Sequence, residues 1–172
     1  MSPSSLIHRL ESTGPVLRAA ALSVSLEDSR WKPTNADWSI LEILNHLIDE
    51  EAEDFRARLD SILHNPAKPW APIDPPRWAV ERRYNERDLL ESADRFLAER
   101  VESVRWLRMH INPRWDSVHQ HPTLGPLSAA DLLASWCAHD ALHLRQIARR
   151  LYQLTQRDGA PASTAYAGPW SP

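Results

Sequence analysis

Pro66, Pro69, Pro72, Pro75 and Pro76 fall within one short stretch of this chain, and that stretch constrains everything around it. Each proline lacks a backbone N–H and clashes with the carbonyl one turn earlier, so no helix is expected to pass through such density. Asn65–Trp78 therefore reads as an extended crossover. A second punctuated stretch, His110–Leu127, holds Pro113, Pro122, Gly125 and Pro126 and reads as irregular. Regular structure has to be built from the segments around these two connections.

Those segments carry helical periodicity. Leu6, Ile7, Leu10, Leu17, Ala20, Ala21 and Val24 predict a helix over Ser5–Leu26, with Pro15 expected to kink it, and Lys32–Asp37 reads as a loop. Ser39 with Glu42 three residues on is the signature of a capping box, and Leu41, Leu44, Ile48, Phe55, Leu59 and Ile62 continue it as one apolar stripe. Asn85 is expected to cap a third helix, with Asp88 in its first turn and Leu89 to Leu107 carrying it to Met109. Ser128 and Asp131 open a fourth, ending near Leu154, and the tail from Gln156 reads as irregular. With only 4 glycines there is little material for the tight turns of a sheet, and no strand is expected. The expectation is a single all-α domain over residues 1–172, a four-helix bundle with two long proline-rich connections.

Several partner classes are disfavoured. The net charge is −3 and no sustained basic run occurs, so no nucleic-acid footprint is visible. No apolar run reaches the roughly 20 residues of a membrane span. The first residues lack an apolar stretch typical of a signal peptide. Cys137 is the only cysteine, which fits a reducing cytoplasm.

The chemistry lies with histidine. His139 and His143 are spaced i, i+4, which stacks both imidazoles on one helical face. A helical wheel places them, with Gln146, alongside Leu132 and Trp136 on the apolar side, where imidazoles need partners. A shared metal ion is one such partner. Cys137 falls nearly opposite, reads as a small buried apolar residue, and is excluded as a ligand. His46 shares its side of the second helix with Glu42, Asp49, Glu50 and Glu53, which reads either as a solvated acidic face or as the wall of an open, charged pocket. On the pocket reading Glu50 is the preferred acid/base residue. Glu42 reads first as the helix cap. Gln146 would line the pocket or hydrogen-bond a ligand, and Tyr166 and Trp170 would either fold over the site or fray. His119 and His121 read as a solvated loop pair, and His8, His64 and His110 have no partner pattern. No nucleophile elbow and no phosphate-binding glycine loop occurs.

Trp38-Ser39-Ile40-Leu41-Glu42-Ile43-Leu44-Asn45-His46-Leu47 resembles the W-S-x-x-E-x-x-x-H-L motif of the DinB-like (DinB/YfiT) family. His139-Asp140-Ala141-Leu142-His143-Leu144-Arg145-Gln146-Ile147 resembles its second motif, H-x-x-x-H-x-x-Q-I, and the closing Tyr166-Ala167-Gly168-Pro169-Trp170 is also similar. The resemblance implies an up-down-down-up four-helix bundle and a divalent metal held by His46, His139 and His143. It implies an enzyme of the thiol-dependent transferase type, using a low-molecular-weight thiol such as mycothiol, bacillithiol or glutathione on a small-molecule substrate. A metal-dependent hydrolase and a non-catalytic stress-associated metal-binding module stay open. Three imidazoles suit zinc first, then nickel or iron. Since bundles of this family pair, and the 8 tryptophans offer apolar surface, a homodimer is expected.

Overall fold

The computed structural model describes residues 2–171. Helix α1 runs over Pro3–Ala21 and continues through Pro15. It stops five residues short of the expectation, because Ser23 turns its hydroxyl onto Ala20 O at 2.7 Å and Ser25 caps a separate short helix, α2 (Leu26–Arg30). Serines that bond the backbone locally compete with helix propagation. The second long helix is composite. It comprises α3 (Ile40–Asp49), a π-helical segment Glu50–Arg56 and α4 (Ala57–His64). Its expected capping box is present, with Ser39 Oγ accepting from Glu42 N at 3.0 Å and Glu42 Oε2 accepting from Ser39 N at 2.8 Å. No feature of the periodicity signalled the π segment.

The crossover is extended from Asn65 to Asp74, but Pro75–Glu81 forms a short helix, α5. Prolines are tolerated in a first helical turn, where their missing N–H would be unpaired anyway, and Asp74 caps the turn from Arg77 N at 3.1 Å. Helix α6 (Leu89–Met109) is capped by Asp88 rather than Asn85. Asn85 instead accepts the Ser39 hydroxyl at 2.6 Å and donates to Arg30 O at 3.0 Å, tying two loops together.

The second connection corrects the expectation of no strand. Strand β1 (Val118–His121) pairs antiparallel with β2 (Gly125–Ser128), and Gly125 takes the positive φ of 75° that closes the turn. Four-residue strands are too short to reveal a period of two, and such a hairpin needs outside support. Here His119 supplies it, buried and stacked on Trp70 at 4.1 Å with its Nδ1 2.8 Å from Pro66 O. The solvated pair expected at His119 and His121 is thus corrected for His119. Helix α7 (Ala129–Gly159) opens at Ser128 and Asp131 as expected, the two forming a capping box, and it outlasts its expected end by five residues.

Cross-helix bonds fix the directions. Asn45–Ser92, Glu51–Arg100 and Arg56–Ser103 rise together in number, so the composite helix and α6 run parallel. Arg18–Asp94 and Glu11–Arg108 oppose, so α1 and α6 are antiparallel. Leu6–Cys137 and Thr13–Asp140 rise together, whereas His46–His139 and Trp38–Arg150 oppose. The order is up-down-down-up, and the Asn65–Asp88 connection has to cross the bundle because two consecutive long helices run the same way.

The apolar core is divided in two. One cluster centres on Leu10, Phe55, Leu107 and Trp136, the other on Leu17, Leu44, Phe96 and Ile147. Between them lies a belt of polar groups. On one side of the belt Arg100, 1% exposed, reaches Glu51 Oε1 at 2.6 Å, Asp140 Oδ2 at 2.6 Å and Leu10 O at 2.9 Å. Trp136 Nε1 donates to the same Glu51 oxygen at 3.0 Å. A Cβ on Gly14 would sit 3.0 Å from Arg100 Cγ, so the glycine gives that side chain its passage. The other side of the belt holds the histidines.

Candidate metal centre

His139 and His143 lie one turn apart on α7, and His46 faces them from α3. Their Nε2 atoms converge: His139 lies 3.0 Å from His143 and 3.4 Å from His46. Two ligands about 2.1 Å from one ion are about 3.0 Å apart at right angles and about 3.4 Å apart at the tetrahedral angle. The spacing therefore suits a shared cation. The donor chemistry agrees. His143 Nδ1–H donates to Gln146 Oε1 at 2.9 Å, which leaves its Nε2 lone pair pointing inward. With the His143 proton on Nδ1, His139 Nε2 can share a hydrogen bond with only one of its two neighbours, so at least one of the two close contacts is left without one.

All three rings are held neutral. Burial first, then the charges of His143 and His139, pulls the His46 pKa from 6.5 to about 2. Burial, His143 and Arg100 bring His139 to about 3. Burial also lowers His143, partly offset by its bond to Gln146. Neutral imidazoles are the ligating form. Aromatic walls fix the rings, with Trp38 4.8 Å from His46 and Phe55 5.1 Å from His139, centroid to centroid.

The acidic side of the second helix is neither a solvated face nor a simple pocket wall. Every residue of α3 is buried, and so are Glu50, Glu51 and Asp54 of the π segment. The crossover covers Asp49, and the loop before α3 covers Glu42. Arg82 reaches Asp49 at 2.5 Å and Glu53 at 2.6 Å, the Tyr84 hydroxyl donates to Asp49, and Lys32 pairs with Glu42 at 3.0 Å. Glu53 alone of the four acids around His46 stays exposed.

Glu50 stands behind His46, its Oε1 3.6 Å from His46 Nδ1. Neither atom has a hydrogen-bond partner among the described residues, although both are buried. Burial, then repulsion from Asp54, raises the Glu50 carboxyl well above the usual carboxylate range. Asp54 was not singled out in the sequence, although its i, i+4 spacing from Glu50 was a readable signal.

His139 and His143 floor an open cavity of about 340 Å³ whose rim includes Leu142, Arg145, Arg149 and Trp170. Trp170 folds back over α7 against Tyr152, at 5.5 Å between centroids, while Tyr166 is fully exposed. Cys137 is buried, bonded to Leu6 O, and faces away from the histidines, as its wheel position implied. His64 and His110, expected to stand alone, come together with Asp60 in a largely exposed group, each Nδ1 already occupied by the backbone carbonyl one turn earlier.

The sequence profile of the DinB superfamily matches residues 9–147. No curated protein matches the chain. A solved structure of YfiT from Bacillus subtilis, described as a probable metal-dependent hydrolase with an unusual four-helix bundle topology, superposes with a TM-score of 0.77 at 18% identity. The match covers 92% of this chain and 90% of that one, and it establishes a shared fold.

Proposed function

The chain belongs to the DinB superfamily, and we propose that it is a divalent-metal-dependent hydrolase acting on a small molecule, with its ion held by His46, His139 and His143. The convergence of three neutral imidazoles through their Nε2 atoms, with His139 and His143 on the floor of an open cavity and His46 buried behind them, carries this reading. The hydrolytic class is drawn from the description of YfiT. Zinc is the expected ion, with nickel and iron next.

Such an ion supplies Lewis acidity, polarising a carbonyl or phosphoryl oxygen and lowering the pKa of a water or thiol. The protein's own residues prepare the place. Gln146 fixes the tautomer of His143, and the three uncharged rings leave the ion's positive charge undiminished. Trp38 and Phe55 exclude water from the far side of the rings. Glu50, the acid/base candidate of the sequence, does not line the cavity. In this proposal it is a positioning residue, orienting His46 through Nδ1 as carboxylates commonly do for metal-bound histidine.

The test is metal analysis of protein purified without a nickel column, followed by ester and phosphate turnover by the zinc-loaded chain. About one ion per chain is expected, with turnover abolished in His139→Ala. A cobalt-loaded protein that develops a sulfur-to-metal charge-transfer band with glutathione, mycothiol or bacillithiol, yet hydrolyses nothing, would replace the hydrolase by a thiol-dependent transferase.

A further inference from the structure

The cavity above His139 and His143 has a chemical asymmetry. Its rim carries two guanidinium groups, Arg145 and Arg149, and no carboxylate. Both are exposed, and neither is within ion-pair distance of a carboxylate among the described residues, although the charge of Arg149 bears on Asp37 from farther away. Their neighbour shows the alternative, for Arg150 is buried and tied to Asp37 Oδ1 at 2.5 Å and Trp38 O at 2.7 Å. The protein as a whole is acidic, at −3, so a local pair of free cations beside the histidines runs against its average. The remaining rim is apolar, formed by Leu142, which is 56% exposed, and by the returning indole of Trp170.

Helix geometry sets the reach. Arg149 lies six residues beyond His143, about 9 Å along the axis at 1.5 Å per residue, and Arg145 only about 3 Å. A molecule in this cavity would meet imidazoles, an indole, a leucine and two guanidiniums, with Arg149 the farther of the two along the helix. Guanidinium is the group best matched to carboxylate or phosphate oxygens, and a partly enclosed cavity strengthens the pairing.

We infer that the substrate is a small molecule with an apolar body and an anionic end, carboxylate or phosphate, which Arg145 and Arg149 bind while its reacting end faces the histidines. This rests on the metal-site reading for the reacting end only. The cavity of about 340 Å³ limits the substrate to a small organic acid or monophosphate rather than a polymer. Arg145 and Arg149 are then specificity-determining residues, and Trp170 is the side wall that the chain's last turn contributes.

The experiment is calorimetric titration of the full chain, metal-free and zinc-loaded, with phenyl phosphate, phenylacetate and the neutral analogue 2-phenylethanol. Zinc content is measured on each sample. At least one of the two anions should bind both forms, while 2-phenylethanol should bind at least tenfold more weakly. Arg145→Ala/Arg149→Ala should lose tenfold or more in anion affinity with unchanged zinc content and circular dichroism. Trp170→Ala should weaken whichever anion binds. Binding of phenyl phosphate alone assigns a phosphate end, and binding of phenylacetate alone a carboxylate end. Equal affinity for 2-phenylethanol, or full anion affinity in the double variant, overturns the inference. Zinc content near zero in the unmodified protein would sink the metal reading instead, and the metal-free titration would still judge the arginines.

Discussion

Arg100 meets Asp140 end-on across the bundle, Nη1 to Oδ2 at 2.6 Å and Nη2 to Oδ1 at 2.7 Å, one residue along α7 from the candidate ligand His139. The pair couples the polar belt that fixes the four helices to the helix that carries two of the three imidazoles. Breaking a buried ion pair from one side strands the other charge, at about 3–5 kcal/mol. Asp140→Asn and Arg100→Met should each lower the free energy of unfolding measured in urea by an amount in that range. Both substitutions should also weaken metal binding. Unaltered unfolding curves would mean the pair is not formed.

Metal binding should depend on all three histidines equally. His46→Ala, His139→Ala and His143→Ala should each remove most of the bound ion. In the unmodified protein, an ion at a thousand times its dissociation constant should add about 4 kcal/mol to stability. Metal-dependent melting curves check this, and a His46→Ala variant that still gains stability from zinc would exclude α3 from the site.

Acid should destabilise the metal-free protein from neutrality downward. His46 and His139 titrate at about 2 and about 3 when folded, against an ordinary 6.5. The unfolded chain therefore binds protons that the folded one refuses, and the stability present above pH 6.5 falls as pH drops toward those lower values. Each such proton contributes a slope of about 1.4 kcal/mol per pH unit. Chemical unfolding at a series of pH values should show this slope, and His46→Gln/His139→Gln should flatten it.

Glu50 should act through His46. Glu50→Ala should cost about 10–100-fold in metal affinity, as losses of outer partners of ligating histidines do. Glu50→Gln keeps a hydrogen-bonding oxygen near Nδ1 and should retain most of it. Equal losses in both variants would overturn a positioning role exercised through that oxygen.

Cys137 should be inert. Burial raises its thiol pKa to about 11, and its Sγ is bonded to Leu6 O. A thiol reagent should label it at the rate of global unfolding. Fast labelling in native buffer would contradict the packing of α7 on α1.

By itself the sequence determined the four long helices, the capping box at Ser39, the opening of α7 at Ser128 and Asp131, the face of α7 that His139 and His143 share, and the outward turn of Cys137 from that face. These are local properties. A cap is read from residues three apart, and an i, i+4 pair is adjacent in any helix. Its motifs also placed His46 in the site, although the wheel of the second helix left that side open between solvent and pocket. Tertiary structure decided the rest. It buried Glu42 and Asp49 under Lys32, Arg82 and Tyr84, and it buried Glu50 behind His46. It joined Arg100 to Glu51 and Asp140 across 49 and 40 residues of chain. It also left Arg145 and Arg149 free at a cavity mouth while Arg150 was consumed by Asp37. A one-dimensional pattern shows which face a side chain takes, but what covers that face is set by chain from far away. Whether a charge is solvated, paired or free for a ligand is decided by that cover.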